Sequence, residues 1–199
     1  MEQCVLIKSS EGYERYTAED LLSLKRVIWI DEMVDKQVAV NVVNKMLYMD
    51  LDNHKPITLL IDSPGGDIQE GLMIYDVMKI VKSPVQTIAI GDAASMGAVL
   101  LAAGEKGRRF VFPSARVMIH EPLLSQINGK NVSEVIEIGE TMRNVKSKIN
   151  QILSRCTGKS IEEIDTDTKK DCFFDAKEAV EYGLADGIMD KKLLQELFE

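Results

Sequence analysis

Ile57-Thr-Leu-Leu-Ile61 runs straight into Asp62-Ser-Pro-Gly-Gly66, and Ile68, Leu72, Tyr75, Met78 and Ile80 then follow at largely helical spacing. Five residues without a fixed charge, closed by a proline and two glycines, read as a buried strand. The 3–4 spacing after them reads as a helix packed back onto it. Pro84 then opens a second apolar run, Val85 to Ile90. A strand, a helix and a second strand in this order place the two strands parallel in one sheet. The predicted fold class is therefore α/β, a mostly parallel sheet covered by helices.

The same alternation continues on both sides of this stretch. Upstream, Val38, Val42, Val43, Met46 and Leu47 share one helical stripe, predicting a helix over 38–50. Downstream, Gly91-Asp-Ala-Ala-Ser-Met-Gly97 hands a strand over to a helix running through Leu101, and short β segments are expected at Arg109 to Phe112 and Arg116 to Ile119. From Asn131 to Cys156 the pattern changes. Val135, Ile138, Met142, Val145, Ile149, Ile152 and Cys156 follow in alternating steps of three and four, a narrow heptad seam. Asn131 is a plausible N-cap and Thr157-Gly158 a plausible end. Such a stripe serves either a facing helix or the chain's own body. With no repeat and no Pro/Gly/Ser linker, the whole of 1–199 is expected to be one domain.

Composition narrows the function classes. The 199 residues are 45% apolar, enough to bury a core. With 24 Lys plus Arg against 32 Asp plus Glu, the formal charge of -8 disfavours nucleic acid as a partner. Three cysteines, Cys4, Cys156 and Cys172, and two histidines share no metal-ligand spacing, so neither a metal, a cofactor nor a disulfide framework is expected. Met1 to Tyr16 contains no apolar block of signal-peptide length, and Ala93 to Ala103 is too short to span a bilayer. A soluble, cytoplasmic protein without membrane contact is the expectation.

Ser95 stands between small neighbours, Ala93, Ala94 and Gly97, where a strand turns into a helix. That is the arrangement of a nucleophile elbow, in which a tight turn holds a hydroxyl clear and the next backbone N–H groups face a developing anion. His120 ends the apolar segment Val117-Met-Ile119, where sites on such sheets collect, whereas His54 lies in a polar turn. A third group is needed to orient the imidazole, and Asp165, Asp167 and Asp171 are all available. Spacing does not choose among them. Asp171, directly before Cys172-Phe-Phe174, is the one expected to be carried to a partly buried place. N–H groups of Gly66 and Met96 are candidate oxyanion donors.

Taken together, Ser63-Pro-Gly-Gly66, Gly91-Asp-Ala-Ala-Ser-Met-Gly97, Arg116-Val-Met-Ile-His-Glu-Pro122 and Glu178-Ala-Val-Glu-Tyr-Gly-Leu184 closely resemble the proteolytic subunits of the Clp protease, the ClpP family, in order and interval from about Val5 to Ile188. The resemblance implies a crotonase-like fold of ββα units and a serine endopeptidase that hydrolyses unfolded proteins and peptides inside a chamber of two stacked heptameric rings. It implies an axial segment over 1–20 and a protruding handle over about 123–160, which turns the heptad seam toward a facing ring. By the same resemblance Ser95 matches the nucleophile, His120 the general base, Asp171 the orienting acid, and Gly66 and Met96 the oxyanion donors. Substrate would lie between Gly65-Gly-Asp67-Ile68 and Leu123, with Ile68 and Met96 bordering an apolar P1 pocket. The implied partner is a Clp-type AAA+ unfoldase, which would supply the ATPase, since this chain has no Walker A sequence.

Several positions depart from the family pattern. Asp62, Asp67 and Glu121 are acidic where neutral groups are usual, Leu124-Ser125 replaces a Gly-Gly, and Lys169-Lys170 replaces an acid-Arg pair. Thr58 and Leu60 stand at outer-face positions where the family carries tyrosines that help dock ATPase loops. These changes suggest a divergent paralogue, with three consequences to test: altered ring contacts, altered ATPase docking, and carboxylates close enough to His120 to stabilise its imidazolium. Two other classes fit less well. A scaffold paralogue in a mixed ring would lose triad members, and a crotonase-like acyl-CoA enzyme would leave Ser95 and His120 without a role.

Overall fold

A computed structural model describes residues 4–9, 12–124 and 129–198. The chain opens with an antiparallel hairpin, β1 (Cys4–Ser9) and β2 (Gly12–Thr17), in the segment expected to be axial. Thr17 then caps α1 (Ala18–Leu24), its side chain accepting the Asp20 N–H while the Asp20 carboxylate accepts the Thr17 N–H. There follow β3 (Val27–Ile30), α2 (Lys36–Asp52), β4 (Ile57–Ser63), α3 (Ile68–Ile80), β5 (Val85–Ala94), α4 (Met96–Ala102), β6 (Arg109–Val111) and β7 (Arg116–Ile119). The chain ends with α5 (Val132–Thr157), α6 (Ile161–Asp167), β8 (Cys172–Phe174), α7 (Ala176–Tyr182), β9 (Gly187–Ile188) and α8 (Lys191–Phe198).

The expected mixed α/β arrangement is present. β3, β4, β5, β6 and β9 pair in that order, all parallel. β5 runs four residues beyond the predicted Ile90 because it serves two neighbours: Thr87 to Ala89 pair with β6, and Asp92 to Ala94 pair with β7. β7 also pairs antiparallel with β8. The predicted segment at 109–112 closes at Val111, and the one at 116–119 is met in full.

Helices α2, α3 and α4 cover one face. Val42 and Met46 of α2, Leu72 and Ile74 of α3, and Leu100 and Leu101 of α4 form one apolar cluster with Ile28, Leu59 and Ile61 of the sheet. A smaller cluster on the other face joins Val27, Leu60, Ile88 and Met189 to Leu22 of α1 and Leu193 and Leu194 of α8. Thr58 and Leu60, expected on an outer face, are therefore buried in the chain itself. Leu60 belongs to this second cluster, and the Thr58 hydroxyl accepts a hydrogen bond from Gln86 Nε2 at 3.3 Å.

The long helix has the predicted caps. Asn131 and Glu134 form a reciprocal capping box, and Gly158 closes the helix at φ 81°, a left-handed turn that glycine adopts without a Cβ penalty. Its seam divides: Ile149 and Ile152 pack into the main cluster, as does Leu153 beside them, while Val135 at the start of the seam is exposed, as are its off-seam neighbours Val132 and Ile136. Part of the expected handle, 125–128, lies outside the described residues.

Candidate active site

Three parallel strands deliver their C-terminal ends to one place, which is where open α/β sheets collect functional groups. β4 ends at Ser63 and leads to Gly65 and Gly66; β5 ends at Ala94, before Ser95; β7 ends at Ile119, before His120. The antiparallel pairing of β8 with β7 sets Ile119 opposite Cys172, which brings Asp171 beside His120.

Ser95 occupies φ 54°, ψ −118°, a region costly for a residue with a Cβ. Its N–H donates to Met118 O at 2.8 Å, and its carbonyl accepts the N–H groups of Ala98 and Val99, so strand and helix both hold the turn. Ser95 Oγ lies 2.9 Å from His120 Nε2. On the other side of the ring, His120 Nδ1 lies 3.4 Å from Asp171 Oδ1. His120 is nearly buried, with 13% of its side chain exposed, but Asp171 is 59% exposed, not partly buried as expected. The cause is local: Asp171 precedes the first residue of β8, whose pairing runs only from Cys172 to Phe174.

The two rival acids are engaged elsewhere. Asp165 lies 2.8 Å from Lys146 Nζ, and Asp167 accepts the Tyr182 hydroxyl at 2.7 Å. Each of the added carboxylates is engaged by a group other than the imidazole. Asp62 Oδ1 accepts the Asp92 N–H at 2.9 Å, Asp67 Oδ1 caps α3 through the N–H groups of Gln69 and Glu70, and Glu121 pairs with Lys146 at 2.7 Å. Burial pushes the Cys156 and Cys172 thiols up, which keeps both protonated and poorly nucleophilic.

Gly65 and Gly66 are required by their surroundings. At φ 93°, Gly65 would set a Cβ 2.6 Å from Ser95 Cβ; at φ 154°, Gly66 would set one 2.3 Å from Val34 O. A short bridge fixes this segment: Val34 N–H donates to Gly65 O and Asp67 N–H to Val34 O, each at 2.7 Å. The Ser63 hydroxyl donates to Glu32 O at 2.6 Å and accepts the Gly65 N–H at 3.2 Å. The Gly66 N–H takes part in none of the hydrogen bonds among the described residues, and Met96 is the first residue of α4, where an N–H has no intrahelical acceptor.

A groove of about 570 Å³ runs past Ser95 between Gly65-Gly66-Asp67-Ile68 on one side and Pro122, Leu123 and Thr141, Met142 and Val145 of α5 on the other. A narrow slot of about 20 Å³ opens beside the serine, walled by Ile68, Met96, Val99, Ile119, Pro122, Ile149 and Leu153. Gly65, Asp67, Ile68 and Leu123, singled out in the sequence, thus line one groove. Met33, Val34 and Thr141 were not singled out, and Met142 and Val145 were read only as seam positions, because their places beside the groove depend on pairing and packing between distant segments and leave no local signal. No group of His, Cys, Asp and Glu among the described residues is arranged to hold a metal ion. No helix among them is long and apolar enough to cross a membrane. A family model described as Clp protease matches residues 10–192.

Proposed function

Because the chain belongs to the Clp protease family, we propose that it is a serine endopeptidase using Ser95 as nucleophile, His120 as general base and Asp171 as orienting acid. The observation that carries this reading is the 2.9 Å contact between Ser95 Oγ and His120 Nε2 on a strained strand-to-helix turn. In the first half-reaction His120 Nε2 takes the Ser95 proton and Oγ bonds to the peptide carbonyl carbon. The oxyanion rests on the N–H groups of Gly66 and Met96. The C–N bond then breaks, and His120 returns its proton to the leaving amine. Water repeats the sequence in the second half: its proton goes to His120, its oxygen to the acyl carbon, and the ester bond breaks as His120 returns that proton to Ser95 Oγ, freeing the carboxylic acid, which ionises in water.

Asp171 holds the tautomer with Nδ1 protonated and stabilises the imidazolium. Its 3.4 Å separation is longer than a formed N–H···O bond of about 2.7–3.2 Å, and resting catalytic contacts commonly tighten as charge develops. An extended polypeptide would lie along Gly65-Gly66-Asp67-Ile68, with Leu123 across from it and an apolar P1 side chain in the slot. That slot is small, so Met96, an unbranched and adaptable side chain, is expected to move aside. Family membership supports heptameric rings, a Clp-type ATPase as partner and unfolded polypeptide as substrate. That all three triad residues are kept and converge speaks against a purely scaffolding subunit. A fluorophosphonate should label Ser95 alone; labelling elsewhere, or peptide hydrolysis undiminished in Ser95→Ala, would overturn the reading.

A further inference from the structure

We propose that Asp67 is a specificity-determining residue that favours substrates carrying Lys or Arg close to the scissile bond and disfavours those carrying Asp or Glu there; this rests on the peptidase reading above. Among the described residues lining the groove, Asp67 is the only carboxylate and His120 the only other side chain that can carry a charge near neutral pH. Asp67 alone contributes a permanent negative charge to that wall.

Its position is set by hydrogen bonds on both sides. The Asp67 N–H is tied to Val34 O at 2.7 Å, and Oδ1 accepts the N–H groups of Gln69 at 2.8 Å and Glu70 at 3.1 Å. The carboxylate is thus oriented before substrate arrives and loses little conformational freedom on binding. Those hydrogen bonds to Oδ1 leave Oδ2 free of any partner among the described residues. Asp67 follows Gly66 directly, so its Cα is about 3.8 Å from that of the proposed oxyanion donor. Its charge therefore acts on the residues flanking the scissile bond from inside a Debye length of about 8 Å.

The other acidic departures do not compete for this role. Asp62 accepts the Asp92 N–H and Glu121 is held by Lys146, and neither lines the groove. The apolar slot fixes the residue at the cleaved bond itself, so the charge preference falls on its neighbours.

The test uses the assembled protein and fluorogenic peptides that share an apolar residue at the cleaved bond, with Lys, Gln or Glu at each flanking position in turn. Lys peptides should exceed Gln peptides in kcat/KM by about two- to fivefold at one or more flanking positions, and Gln should exceed Glu similarly, as expected for an exposed charge pair. Raising salt should shrink both ratios. Asp67→Asn keeps a good N-cap while removing the charge, so it should bring the Lys/Glu ratio close to one. Asp76→Asn removes the same charge further along α3, outside the groove, and should leave the ratio as it is. A Lys/Glu ratio near one in the unaltered protein, or one that Asp67→Asn does not reduce, overturns the inference while Ser95 labelling still upholds the peptidase. Absence of both labelling and cleavage in every variant defeats the peptidase reading and this inference with it.

Discussion

Lys146, on α5, places its ammonium 2.7 Å from the carboxylate of Glu121, the residue that follows His120 in the chain. The same ammonium lies 2.8 Å from Asp165 Oδ1, on α6, and the Glu121 N–H donates to Thr168 O at 2.7 Å. The strand end that carries His120 is thereby tied to the helix and turn that lead to Asp171. Hydrogen bonds to Asp165 and Glu121 push the Lys146 ammonium above its usual value, and the Lys146 hydrogen bond holds the Asp165 carboxyl below its own.

Lys146→Met should therefore slow fluorophosphonate labelling of Ser95 by about two- to fivefold, the scale of a partly exposed ion cluster. Lys146→Arg should recover most of it, and KM for an uncharged peptide should change less than kcat. The cluster is intact between the two usual values, 3.8 for Asp165 and 10.5 for Lys146. Its contribution is lost as pH falls through the depressed Asp165 value or rises through the elevated Lys146 value. Activity changes between about pH 5 and 9 that disappear in Lys146→Met would contradict this assignment.

Asp171→Asn should lower kcat for peptide hydrolysis by about 10³- to 10⁴-fold, because an amide favours the wrong imidazole tautomer. Asp167→Asn disturbs only the Tyr182 hydroxyl contact and should stay near the unaltered rate. If Asp167 proves to be the sensitive position, the third member of the triad has been misassigned.

Ser95→Ala should cut hydrolysis by about 10³-fold or more. The two replacements of this serine should also differ in stability. At φ 54° any side chain with a Cβ is strained by about 1–3 kcal/mol, and glycine gives back about 0.4–1 kcal/mol through the freedom it gains when unfolded. The balance of about 1 kcal/mol predicts that Ser95→Gly melts about 2–4 °C above Ser95→Ala. A lower melting temperature for the glycine variant would show that the turn is not strained.

Arg109 is 1% exposed and forks onto Asp186, with Nε at 2.9 Å from Oδ2 and Nη2 at 2.6 Å from Oδ1. Its Nη1 donates to the carbonyls of Ala102, Cys156 and Gly183, joining the ends of α4, α5 and α7. Arg109→Met removes the guanidinium from Asp186, leaving the carboxylate the backbone N–H groups of Gly107 and residue 109 and the Lys106 ammonium at 4.0 Å, and should cost about 3–5 kcal/mol in urea unfolding. Burial raises the Asp186 carboxyl, but Arg109 outweighs it and holds it below its usual value of 3.8. The stabilisation is thus present above that value and lost as pH falls through the lower folded one. A loss under about 1 kcal/mol would mean that water replaces the guanidinium easily.

Assembly gives the last prediction. Val132, Val135 and Ile136 leave the first turns of α5 without cover in the single chain, so a facing ring is the expected partner. Among the described residues Lys169 pairs with Asp165, at 3.9 Å, and Lys170 adds a second positive charge beside it. Homotypic double rings should be salt-sensitive and poorly active, with Val135→Glu driving them to single heptamers and Lys169→Asp with Lys170→Arg strengthening them. Sedimentation checks this. A stable, fully active tetradecamer indifferent to salt and to all three changes would refute it.

Local pattern was enough for much of this protein. The α3 bounds, the 116–119 strand and both caps of α5 follow from spacing, proline and glycine positions and side-chain hydrogen bonds to the nearest backbone, all of which act within a few residues. The elbow at Ser95 was legible for the same reason, since small neighbours and a strand-to-helix switch are local features. The hairpin over Cys4 to Thr17 was missed because exposed strands lack the apolar alternation that marks a half-buried one. Which aspartate meets His120 was decided only by tertiary structure, through the register that sets Ile119 against Cys172 while Lys146 and Tyr182 occupy Asp165 and Asp167. The same holds for Glu121, Asp62 and Val34: a carboxylate's effect on an imidazole, or a carbonyl's hold on a glycine, depends on distances between segments far apart in the chain, and only the packed sheet and helices fix those distances.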